Sequence, residues 1–188
     1  MTKTRRLRRL FHRPGETVVG YDDRLLRPDD MRRLRELAPG PLRTMPFGRG
    51  EADLAAPLLL TFGRIERAED VAALRVLSGE RWREVWNHLA AVLAGAAGAA
   101  GAGAGGLRVT VRFDYGHLIV RGDVRAAEPA DVVEALARLP DLAESVAGVA
   151  AGLPDGAQLL TARYEPAGGA WVLREAHGFR GRKWVQSL

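Results

Sequence analysis

The apolar positions of this chain change period several times, and each change marks an element. Trp82, Val85, Trp86, Leu89, Val92 and Leu93 recur at the spacing of one helix face, which predicts a helix from Glu80 to about Leu93. Before it, Val71, Leu74 and Leu77 predict a helix over 69–77 that Ser78-Gly79 ends. Residues 28–37 start on a proline suited to the first helical position and carry Asp29 and Asp30 at the positive end of the dipole. They stop at Pro39-Gly40, with Met31, Leu34 and Leu37 inward. The stretch 40–50 is expected to be extended, and 58–62 to be a short apolar strand or buried connection.

From residue 107 the period becomes two. Leu107, Val109, Val111 and Phe113 alternate with Arg108, Thr110, Arg112 and Asp114, the pattern of a half-buried strand. Tyr115-Gly116 turns the chain, and 117–124 returns with Leu118 and Val120 inward. Residues 128–153 read as helical, with Val132, Val133, Leu136 and Leu139 on one face and a break at Pro140. A second hairpin, 158–165 with 170–177, follows around Pro166-Ala167-Gly168-Gly169. Its last strand is the weakest: Trp171 and Leu173 should face inward, with Val172 competing. Helix, hairpin, helix, hairpin predicts an α+β fold. The expected architecture is a two-layer sandwich, an antiparallel sheet of two hairpins covered on one face by helices, with a less regular helical N-terminal segment.

The corresponding division is 1–65, a basic tail and irregular or helical segment; 66–177, the α+β core; and 178–188, a basic C-terminal tail. Inside the core, the 13 residues of 94–106 are all Ala or Gly. Six are glycines, each costing about 1 kcal/mol in a helix. The preceding helix is therefore expected to fray into a linker there.

Charge changes this picture at the ends. The net charge is +5, yet Lys3, Arg5, Arg6, Arg8, Arg9 and Arg13 occupy the first 13 residues without an acid, and Arg180, Arg182 and Lys183 do the same at the other end. With all 23 acids lying between them, the body of the chain is net acidic. A short basic helix over Arg5–Phe11 is one form the first tail could take. Of 28 basic residues 26 are arginine, and Ala and Gly abound, which reads as a GC-rich, bacterial coding bias. Arginine is thus the default cation here, and no single one signals phosphate binding by its identity alone.

Cysteine is absent, which removes disulfides, thiolate metal sites and a cysteine nucleophile and favours a cytoplasmic setting. The N-terminus lacks the apolar core of a secretory signal. The uncharged run 89–107 has the length of a membrane span, but its Ala/Gly tract is weakly driven into lipid, so no span is expected.

Catalytic signals are few. The string Gly101 to Gly106 matches G-x-G-x-x-G, but a helix precedes it and a strand follows, the reverse of a dinucleotide site. His12, His88, His117 and His177 form no H-x-x-x-H pair, and no metal or cofactor is expected. Asp29-Asp30 is explained as helix-start charge, and the neighbouring pair Asp22-Asp23 is poorly placed to converge on one substrate. The serines Ser78, Ser145 and Ser187 lack a nucleophile-elbow context. No enzyme activity is expected.

The polar face of the sheet carries the functional expectation. Arg108, Arg112, Arg121, Arg163 and Arg174 project away from the helices, among Thr110, Thr161, Ile119 and Leu159, with Asp114, Asp123 and Glu165 expected toward the margins. A solvated outer face is the plain reading. Arginine mixed with aliphatics is also the composition of an interface, and exposed aromatics for base stacking are missing from it. The leading expectation is a non-catalytic, cytoplasmic module that binds a protein partner with an acidic surface. The helix–hairpin order is similar, at the level of topology only, to that of small bacterial immunity proteins and secretion-chaperone-like domains. The alternative is a nucleic-acid- or ribosome-associated protein that binds polyanions through Arg5, Arg6, Arg8, Arg9, Arg13, Arg180, Arg182 and Lys183. A third is an enzyme with no recognisable motif.

Overall fold

Three crossovers through helices build a mixed sheet, not the antiparallel one that the hairpin signals predict. The computed structural model describes residues 17–47, 56–99, 106–178 and 183–185. In chain order these form β1 (Thr17–Tyr21), α1 (Pro28–Leu37), β2 (Leu42–Pro46), β3 (Leu58–Thr61) and α2 (Ala68–Ala73). A 3-10 turn, Leu74–Ser78, leads into α3 (Glu80–Ala99). Then come β4 (Leu107–Tyr115), β5 (Leu118–Ala126), α4 (Pro129–Ala137), α5 (Leu139–Ala150), β6 (Ala157–Glu165), β7 (Ala170–Gly178) and β8 (Lys183–Val185). All eight strands join one sheet in the order β2-β1-β3-β4-β5-β6-β7-β8. The fold is α+β, and both expected hairpins are present as antiparallel pairs, β4 with β5 and β6 with β7. The joins β1/β2, β3/β4 and β5/β6 are parallel.

Parallel neighbours need a connection long enough to cross back over the sheet, and the helices supply it. The steps β3 to β4 and β5 to β6 go the same way across the sheet, from strands that run in opposite directions. Their helices α3 and α4 nevertheless pack on each other, on one face. The two crossovers therefore have opposite hands, so one takes the uncommon left-handed sense.

The N-terminal segment, expected to be irregular, contributes β1, β2 and β3 to this sheet. β2 and β3 fall where extended chain (40–50) and a strand or buried connection (58–62) are expected, whereas β1 is hidden from pattern reading because it is buried at every position, which erases the alternation. The Gly/Ala tract also departs from expectation, because α3 runs on through Ala94–Ala99. Ala94, Ala96 and Ala97 pack against the core and offset the helix cost of Gly95 and Gly98. The tract's residues 100–105, the tail 1–13 with its expected helix, and the segment 179–182 lie outside the described residues.

Two tryptophans tie the helices down. Trp86 is fully buried, stacks on Trp82 with ring centroids 4.9 Å apart, and donates its indole N–H to the Leu77 carbonyl at 3.0 Å. Trp171 lies on the inward side of β7, edge-to-face with Tyr164 at 5.5 Å, and its ring covers Gly122 of β5. Its indole N–H reaches the Ala135 carbonyl of α4 at 3.1 Å. That carbonyl belongs to the last turn of α4, whose carbonyls lose their helical donors where the chain breaks at Arg138. Ser78 Oγ satisfies another, the Ala137 carbonyl, at 2.7 Å. The break predicted at Pro140 is thus stitched to the sheet and to the 3-10 turn by side chains.

Strand β7 resolves its own ambiguity with a bulge. Register slips between Thr161 and Ala162, which face Glu175 and Leu173. Arg174 is the extra residue, so Arg174 and Glu175 both lie on the outer face and Ala176 returns to the core.

Two stability predictions follow from this packing. Trp86→Ala should cost about 3–5 kcal/mol in urea denaturation, because the site cannot collapse around so large a void. A Cβ at Gly122 would stand 2.6 Å from Val111 Cγ2 and 2.7 Å from the Trp171 ring. Gly122→Ala should therefore cost about 1–3 kcal/mol, and unchanged stability would show that the Trp171 ring is free to move.

Candidate functional site

The candidate site is the sheet face turned away from the helices. Cross-strand register fixes what meets there, since residues directly opposite share a face. One row across the sheet reads Arg43, Val18, Thr61, Arg112, Arg121, Thr161, Glu175. The neighbouring row reads Met45, Gly20, Leu59, Thr110, Asp123, Arg163, Val172. On the hairpin side a third holds Asp114, Ile119, Leu159, His177 and Lys183. Arg108 faces Arg125 further along β4 and β5.

Of the five arginines expected here, four converge on β4, β5 and β6: Arg108, Arg112, Arg121 and Arg163. The fifth, Arg174, sits at the bulge and pairs with Glu165 at the margin. Two cations that pattern reading passed over join them. Arg125 has the same parity as Arg121 and would have been found had the strand been followed past Val124. Arg43 was hidden because β2 gave no periodic signal.

The arrangement opposes like charges directly, Arg112 to Arg121 and Arg108 to Arg125. Such pairs destabilise a sheet by about 0.2–1 kcal/mol each. Partial relief comes from acids two residues along: Arg112 Nη2 is 3.8 Å from Asp114, and Arg121 Nη2 donates to Asp123 at 3.2 Å. Among the described residues, no carboxylate stands within ion-pair distance of Arg125 or Arg163, both exposed. The face as a whole carries eight cations and four acids, whereas the remaining described residues carry 11 cations and 16 acids. Among the described residues, positive charge is thus gathered on this face.

Leu59, Ile119, Leu159 and Val172 lie half-buried between these charges. Beyond them, Lys183 of β8 donates to Glu175 at 3.1 Å, and His177 lies 3.0 Å from the same carboxylate. The Lys183 hydrogen bond holds Glu175 below the usual carboxylate range, against the opposing effect of desolvation. Lys183 is therefore engaged within the sheet. The other tail cations, Arg5, Arg6, Arg8, Arg9, Arg13, Arg180 and Arg182, lie outside the described residues.

The remaining polar candidates are absorbed locally. His88 donates to the Asp30 carbonyl at 3.2 Å, joining α3 to α1, and His117 is exposed in the hairpin turn. Buried Asp22 closes the turn after β1. Its carboxylate takes the Arg24 side chain and backbone N–H, and that side-chain bond chiefly lowers its pKa. Among the described residues, no three His, Cys, Asp or Glu side chains are grouped to hold a metal, and no helix is long and apolar enough to cross a membrane.

A second concavity, about 220 Å³, opens beside the start of β1, lined mainly by Phe62, Ile65, Leu74, Val76, Leu77 and Trp82. Its charged groups are already engaged. Arg64 binds Glu66 and the Gly116 carbonyl, and Asp70 accepts from the backbone of Glu66 and Arg67. The pocket offers apolar volume without a free reacting group. Comparison with protein-family models, curated proteins and solved structures finds no match to this chain.

Arg125→Thr tests the opposed charges. Removing the cation opposite Arg108 should raise stability by about 0.2–1 kcal/mol at low salt, with the gain shrinking as salt screens it. Thermal melts at two ionic strengths check this, and a loss of stability at low salt would contradict it.

Proposed function

We propose that this chain is a non-catalytic binding module whose sheet docks a protein partner with an acidic surface. The observation that carries the reading is the pair of facing arginine pairs, Arg108 with Arg125 and Arg112 with Arg121. Two such oppositions cost stability, and a merely solvated face has no reason to hold them. An acidic partner turns the same repulsion into attraction. The interleaved Leu59, Ile119, Leu159 and Val172 give that partner apolar contact, as interface cores have.

In this reading the helices cover one face only, a two-layer arrangement, and the other face is left for docking over β4, β5 and β6, whereas Val18 and Thr61 of β1 and β3 are buried. The principal contacts are Arg108, Arg112, Arg121, Arg125 and Arg163, with Arg174 at the rim. The ring of Phe47 lies half-buried over Gly20 of β1, but no Phe, Tyr or Trp stands among the arginines on the outer face of β4, β5 and β6, which favours a protein over single-stranded nucleic acid. An adapter, immunity or chaperone-like role in a bacterial cytoplasm suits a cysteine-free chain of this kind.

The test is affinity capture from native lysate with and without nuclease, repeated with two variants. The captured protein should survive nuclease treatment and deletion of residues 1–13, and should be lost on combining Arg112→Glu with Arg163→Glu. Capture that nuclease abolishes, or that disappears with residues 1–13, would assign binding to the basic tails and nucleic acid. Its salt dependence would then be steep, with up to six cations removed by that deletion.

A further inference from the structure

The centre of the basic face is occupied by a carboxylate of the chain itself. Asp123 lies directly opposite Thr110 on one side and Arg163 on the other. Its Oδ1 accepts from Thr110 Oγ1 at 2.9 Å and from Arg121 Nε and Nη2 at 3.3 and 3.2 Å. On the neighbouring strand Asp114 does the same for Arg112, more loosely, at 3.8 Å. Because the strands are antiparallel, these acids lie on opposite sides of the Arg112–Arg121 row, and each arginine leans away from the other. The two guanidinium groups are held apart by internal anions.

Building on the docking reading above, we propose that Asp123 is a built-in competitor for the partner's carboxylates, restricting the face to partners that present several at once. Both members of its pair are accessible, with side chains 42% exposed for Arg121 and 36% for Asp123, so the pair is weak and exchangeable. A lone carboxylate arriving at Arg121 replaces one equivalent contact by another and gains little. A segment with several carboxylates also engages Arg125 and Arg163, exposed and, among the described residues, beyond ion-pair distance of any carboxylate, and so gains contacts there without a matching loss. Asp123 thus sets a threshold in the number of charges, which excludes scattered surface acids and free carboxylate metabolites.

The experiment measures binding of a short oligoglutamate peptide to the full-length protein and to Asp123→Asn by fluorescence anisotropy at low and moderate salt. Asparagine keeps an acceptor for Thr110 while removing the charge. Asp123→Asn should bind about fivefold tighter, and acetate should compete measurably with the peptide for the variant but not for the parent. Asp114→Asn, whose contact is longer, should show a smaller gain in the same direction. Equal or weaker binding by Asp123→Asn, with Arg112→Glu plus Arg163→Glu still abolishing it, would overturn the competitor role and leave the docking reading standing. Lower melting temperature with unchanged affinity would also overturn it, making Asp123 a structural counter-charge. No oligoglutamate binding by any form would overturn both.

Discussion

One contact ties β7 and β5 to the helix layer, the Trp171 ring laid over Gly122 with its indole N–H on the Ala135 carbonyl of α4. The ring contributes more than the hydrogen bond. Burying an aromatic of this size removes roughly 150–250 Å² from water, about 4–6 kcal/mol at the usual coefficient, against about 1 kcal/mol for the bond. The bond's role is geometric: it fixes which turn of α4 meets which strand. It does so in the last turn of α4, where the break at Arg138 leaves carbonyls in need of donors. The same device recurs at Trp86, whose N–H holds the Leu77 carbonyl of the 3-10 turn. Helix breaks and tryptophans are therefore matched, and the sheet behind them is held in a single register.

That fixed register is what lets the opposite face carry opposed arginines. Cross-strand repulsion of about 0.2–1 kcal/mol per pair is small beside a domain stability of about 5–15 kcal/mol. A sheet anchored by its inward residues has little freedom to relieve it by slipping, because a one-residue slip would turn Val109, Val111 and Val120 outward. The internal acids Asp114 and Asp123 reduce the repulsion without cancelling it. Among the described residues the sheet face is basic and the rest is net acidic, an arrangement that orients approaching partners as well as binding them.

The parts of this design that alternate were legible in the sequence. β4, β5 and both hairpins followed from period-two patterning, α1 from its proline and acids, and the burial of Trp86 from its apolar stripe. What escaped had no period to show. β1 is buried at all five positions, so Thr17–Tyr21 reads as featureless. The parallel joins depend on where helices send the chain, which local spacing does not encode. The extension of α3 through Ala94–Ala99 depends on packing that overrides glycine's helix cost. At the site, four of the five expected arginines converge; Arg174 moved to the margin because a bulge adds one residue to β7, and Arg125 was missed by ending a strand early.

The most direct measurement is residue-level mapping by NMR, following backbone amide and arginine side-chain shifts while oligoglutamate is added to the full-length protein. Saturable changes should centre on Arg108, Arg112, Arg121, Arg125 and Arg163, with the α3 and α4 helices unaffected. Changes confined to the apolar pocket around Phe62, Val76 and Trp82, or to the termini alone, would contradict it.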